Sequence, residues 1–106
     1  MVTLTLDRGR TLRYTWAGIK RLQKEQGLNF LRVVTEDEDW HLDPVKFSAI
    51  LWCGLIADDP TLTIDAVDAE ITLPRLTVIA NMMMQAVAEA LQEGEQRANP
   101  PTTSAA

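Results

Sequence analysis

Residues 51–68, LWCGLIADDPTLTIDAVD, place the only cysteine of the chain beside a tryptophan in an apolar run that turns abruptly into Asp58-Asp59-Pro60. Two readings compete: a reactive thiol at the mouth of a carboxylate-lined site, or a joint where one buried helix ends and another begins. The residues upstream favour the joint. Asp43 can accept an orphan backbone N–H, and Pro44 loses no hydrogen bond at a first helical position. In the helix predicted from Pro44 to about Ala57, Phe47, Ala49, Ile50, Leu51, Trp52, Cys53, Leu55 and Ile56 cover nearly the whole circumference, the pattern of a helix buried on several sides. Gly54 offers a place for close approach by a neighbour. Asp58-Asp59-Pro60 then ends the helix, and Thr63 is placed to cap a short helix reaching about Glu70.

Working toward the N-terminus, Leu28 to Val34 permits either a short helix or an extended connection. The acidic run Glu36-Asp37-Glu38-Asp39 fits an exposed loop. Thr15 can cap a helix from Trp16 to Gln26, with Gly27 as a left-handed stop and Trp16, Ile19 and Leu22 on one face. Lys20, Arg21 and Lys24 fall mostly elsewhere, and Lys20 and Lys24, four apart, repel mildly. Before this helix, Val2, Leu4 and Leu6 alternate with Thr3 and Thr5, Asp7-Arg8-Gly9-Arg10 supplies a turn, and Leu12 and Tyr14 resume the alternation, with Arg13 on the second strand. The pattern is a β-hairpin. Two strands are marginal alone, so its apolar face is expected on the helices.

Toward the C-terminus, Thr72, Leu73 and Pro74 open a last helix running to about Glu93, with Gly94 as its stop. Leu76, Ile79, Ala80, Met83, Val87, Ala90 and Leu91 recur at spacings of three and four, a seam for packing on the central helix. The expected fold is α+β and mainly α: an N-terminal hairpin packed on a bundle of about four helices around a buried central one. Residues 1–94 form one domain and residues 95–106, with no large apolar side chain and a proline pair, form a flexible tail.

The totals agree with one soluble domain. A chain of 106 residues with 46% hydrophobic and 24% charged residues can close one core. The lone cysteine forms no internal disulfide, MVTLTLDRGR lacks the features of a secretion signal, and the longest run without a polar side chain, Ala49 to Ala57, is too short to span a membrane. A cytoplasmic setting without membrane attachment is expected. The net charge of −5 argues against a nucleic-acid partner. Charge is segregated: residues 1–32 are basic and the remainder strongly acidic, which suits head-to-tail association into a homo-oligomer or an oppositely charged partner, and equally two solvated faces of a monomer.

Few groups could carry catalysis. Cys53 lies in an all-apolar helix, where burial makes a thiol inert. His41, the only histidine, belongs to a surface turn. Cysteine and histidine are too few for structural zinc, the acidic residues from Asp58 to Glu70 lack calcium-loop spacing, and the isolated glycines form no phosphate loop. Of two serines, Ser48 falls in the buried helix and Ser104 in the tail. No cofactor is expected. Met82-Met83-Met84 does stand out: three adjacent methionines about 100° apart cannot share one stripe, so they serve either an irregular core or a surface for apolar helices.

The order of parts, with a helix ending in IKRLQKEQGLN, the central SAILWCGLIADDPTLTIDAVD and a C-terminal amphipathic helix, resembles the small tail assembly chaperones of long-tailed bacteriophages and of phage-derived gene transfer agents. The resemblance covers roughly residues 1–93 and is best from Leu51 to Val67, where Cys53 stands in place of a usual small residue such as alanine. It implies a non-enzymatic assembly factor in the host bacterial cytoplasm. Such chaperones bind the long helical tape measure protein before the tail tube polymerises around it, and are absent from the mature virion. On that reading, Lys20, Arg21, Lys24, Met82 and Met84 are the candidate client or self contacts. The competing reading is an acidic regulator or adaptor, antitoxin-like or anti-repressor, acting through Glu36 to Asp43, and a third is a structural head or tail completion protein.

Overall fold

The computed structural model describes residues 2–37 and 39–98. Strands β1 (Val2–Thr5) and β2 (Gly9–Leu12) form an antiparallel hairpin, followed by α1 (Trp16–Gln26), α2 (Phe30–Glu36), α3 (Pro44–Leu55), α4 (Ile64–Glu70) and α5 (Leu76–Ala98). Short 3-10 turns at Trp40–Leu42 and Leu73–Arg75 precede α3 and α5. The fold is α+β and mainly helical, with five α-helices among the described residues.

α3 is the hub. The Asp43 carboxylate accepts from the Val45 and Lys46 N–H groups, as its place before Pro44 requires. Ile50, Leu51 and Cys53 have no exposed surface, because β2, α1, α4, α5 and the Trp40–Leu42 turn all touch this helix. Gly54 is where the hairpin seats: a Cβ there would lie 2.5 Å from Leu12 Cδ1 and 2.9 Å from the Tyr14 ring, and the Arg13 N–H donates to the Gly54 carbonyl at 2.8 Å. Arg13 thus lies beyond β2, tying the hairpin to the hub. The joint after α3 is equally closed. Trp52 Nε1 donates to the Leu62 carbonyl at 2.8 Å, and Thr63 caps α4 through the Ala66 N–H.

α1 follows expectation at both ends: Thr15 Oγ1 accepts from the Gly18 N–H at 3.1 Å and Gly27 adopts φ 71°. Its buried stripe differs from the expected one. Gly18 and Leu22 are buried while Trp16 is 69% exposed. The stripe is centred where the absent side chain of Gly18 lets the Cys53 carbonyl come close; Trp16 lies about 120° around the helix from Leu22 and faces outward. Of the stretch Leu28 to Val34, the part from Phe30 onward is helix, since Asn29 caps α2 through the Arg32 N–H and Phe30 and Val33 are buried. The Tyr14 ring sits 4.9 Å from that of Phe30. Its hydroxyl is buried with no hydrogen-bond partner among the described residues, and burial first, then proximity to Cys53, keeps it protonated far above the ordinary range.

α5 departs from expectation in three ways. It lies chiefly on β1 and touches α3 over a smaller stretch. Ile79, Met83, Ala86 and Val87 form its buried stripe, whereas Leu91 is 52% exposed: a 23-residue helix is about 35 Å long, more than twice the ~13 Å that a four-residue strand covers. It also continues through Gly94 to Ala98, a helical glycine costing only about 1 kcal/mol. The expected flexible tail is therefore helical over residues 95–98, and residues 99–106 lie outside the described residues.

Arg10 is the surprise of the hairpin. Assigned by sequence to the turn, it pairs with Leu4 across the strands and is only 8% exposed. Its Nε and Nη2 donate to the Asp7 carboxylate at 2.8 and 2.9 Å, and Nη1 donates to Asp59 at 3.1 Å. These contacts pin the hairpin turn to the joint after α3. The Arg10 hydrogen bonds hold Asp7 down to about 2 and lower Asp59; Asp37 is lowered by Lys46. Carboxylates depressed in the folded state stabilise it above their unfolded value near ~4, and that contribution is lost as pH falls through the folded value. Thermal unfolding followed from pH 5 to 2 is expected to show a falling midpoint below about pH 4, with a shallower fall in Arg10→Met, which removes the guanidinium that both aspartates share. Parallel curves for the two proteins would disprove this role of Arg10.

Candidate functional site

Cys53 and His41 define what the molecule does not assemble. The thiol is fully buried, and burial pushes it up to about 12, whereas His41 is exposed, its ring edge-on to Trp40. Ser48, expected inside the buried helix, is half-buried and shares a groove with His41 and Asp68. No hydrogen bond joins these three among the described residues, and a hydroxyl nucleophile needs an oriented base within reach. No group of three or more His, Cys, Asp or Glu is placed to hold a metal ion among the described residues. Nor is any single helix there long and apolar enough to cross a membrane.

Of the five candidate contact residues, Lys20 and Lys24 are exposed on the outer face of α1, where with Trp16, Ala17 and Glu25 they line a shallow depression of about 450 Å³. Arg21 also borders it, but its guanidinium is committed. Nη1 donates to the Pro60 carbonyl at 2.7 Å and Nε to Glu25 at 2.5 Å, and its carbon lies 5.1 Å above the Trp52 ring, within cation–π range. Arg21 holds α1 to the joint after α3, leaving the two lysines and Trp16 as the open groups of this face.

The methionine run divides by helix geometry. Met83 has no exposed surface, Met82 is half-buried against the core, and Met84 is 53% exposed. Met84 borders a separate hollow of about 360 Å³ with Val34, Trp40, His41 and Ala80. The lysines and Met84 thus line different depressions.

A further concavity is one that no motif announces. A groove of about 590 Å³ opens between the end of α1, the start of α3, α4 and the entry to α5. Phe47, Ile64 and Ile71 line it, and Leu42, Val45 and Leu73, between 71% and 83% exposed, stand in the same lining. Asp68 is its only carboxylate, and no lysine or arginine borders it. The signal available in sequence was slight: Leu42, Val45 and Leu73 each flank a helix start, outside any periodic stripe.

Comparison of the chain with protein-family models, curated proteins and solved structures finds no match. Function therefore rests on these surfaces and on the sequence resemblance.

Proposed function

We propose that this protein is a non-enzymatic tail assembly chaperone, which binds the tape measure protein of a long-tailed phage or gene transfer agent and keeps it soluble until the tail tube forms. The observation that carries the reading is the uncovered face of α1: Trp16, 69% exposed, in one depression with Lys20 and Lys24, on a molecule whose core is closed without it. An amphipathic aromatic with flanking cations suits a helical client bearing apolar and acidic side chains. Exposed Met84 adds a second adaptable contact, and many copies on one long client would act multivalently. The acidic-adaptor reading has less support, because Asp37 is paired with Lys46 and Asp43 caps α3.

Co-expression with a tape measure protein, followed by pull-down, tests the proposal. The wild-type chain is expected to retain the client in the soluble fraction, and Lys20→Glu/Lys24→Glu and Met84→Asp, at exposed positions, are expected to fold and to retain several-fold less. If these folded variants solubilise the client as well as wild type, the assigned surfaces are wrong; if the wild type captures none, the chaperone reading fails.

A further inference from the structure

We propose that the groove between α1, α3, α4 and the entry to α5 is a docking site for an amphipathic helix whose apolar stripe is bordered by lysine or arginine. The occupant follows from shape and charge. Helix-in-groove recognition needs an open apolar trough that accepts side chains at i, i+3 or i+4, and i+7, a span of about 10 Å. The groove offers about 590 Å³, within the usual size range of ligand clefts, and three large aliphatic side chains, Leu42, Val45 and Leu73, stand exposed in its lining. Exposed aliphatics grouped about one hollow, in a protein whose core is already filled, mark an interaction surface.

The electrostatics favour a basic occupant over an acidic one. Asp68 projects from the lining, and exposed Asp65 adjoins Ile64. The cation nearest in sequence, Arg75, donates Nη1 to the Glu70 carbonyl at 3.1 Å, and Lys46 is paired with Asp37. A cation on the incoming helix can therefore meet Asp68 with no lysine or arginine of the lining competing. This site is distinct from the Trp16 and lysine face of α1, which has the opposite charge, and it does not depend on the tape measure reading.

The test is fluorescence anisotropy of the full chain with a synthetic amphipathic helix whose leucine stripe is bordered by lysines, against the same helix bordered by glutamates. The lysine peptide is expected to bind up to about fivefold more tightly, an exposed ion pair being worth up to ~1 kcal/mol. Asp68→Lys should reduce or invert that preference, and Val45→Asp or Leu73→Asp should weaken binding roughly tenfold while circular dichroism stays unchanged, as their exposure allows. Equal affinity for the two peptides, or binding indifferent to Leu73→Asp, overturns the proposal. Sedimentation gives the other decisive outcome: if the chain self-associates and Leu73→Asp alone makes it monomeric, the occupant is a second copy and the proposal is wrong. Peptide binding that succeeds where tape measure co-purification fails would uphold the groove and refute only the client.

Discussion

Trp52→Ala is expected to abolish cooperative folding or bring the protein to its edge. Trp52 is 2% exposed in the last turn of α3, and truncating a buried tryptophan costs about 3–5 kcal/mol through lost burial and the cavity left behind. The change also removes the indole donor to the Leu62 carbonyl, and an acceptor stranded without a partner costs about 1–3 kcal/mol more. Arg21 loses the ring beneath it as well. Together these rival the total stability of a small domain, about 5–15 kcal/mol. Urea denaturation followed by circular dichroism checks the expectation, with Trp52→Phe retaining most of the bulk and a cooperative transition. If Trp52→Ala loses less than about 2 kcal/mol, Trp52 does not hold the joint after α3 to the core.

The adjacent methionines supply the second large effect and its internal control. Met83→Ala is expected to cost about 2–5 kcal/mol, as for aliphatic truncation in a filled core, because Met83 is wholly enclosed. Met84→Ala, at a side chain 53% exposed, should fall within about 0.5 kcal/mol. Neighbours of identical chemistry thus differ by several kcal/mol on orientation alone. Equal costs, measured by the same denaturation experiment, would mean that α5 is rotated from the position described.

The helices were legible wherever a local signal sufficed. Thr15, Asp43 and Thr63 each cap the helix that follows through their own side chains, and capping depends on residues two or three apart; Asn29 does the same for α2, although Leu28 to Val34 by itself leaves helix and extended connection open. The identity of the hub was legible too, because only a helix enclosed on all sides tolerates an apolar circumference. Which stripe of a partly apolar helix turns inward was not. Trp16 faces outward because a glycine two residues on admits α3, a fact of packing that hydrophobicity cannot express. Arg10 was misplaced for the converse reason: its polar head suggested a turn, although it shares the alternation of Leu12 and Tyr14, and parity outranked polarity once Asp7 and Asp59 could receive the guanidinium. The groove escaped notice because its walls come from four elements distant in sequence, each contributing residues unremarkable in isolation.

The seating of β1 on α5 brings together the first and last elements described. Val2 and Leu4 are 3% exposed in the finished fold, yet their cover is synthesised some seventy residues later. During translation the nascent ribbon must wait, its greasy side bare, until the final helix emerges from the ribosome. Closure of this seam therefore waits on the last of the described helices, and pairing across such a separation is intrinsically slow and open to misassociation. Truncation within α5 therefore exposes the opposite terminus of the molecule.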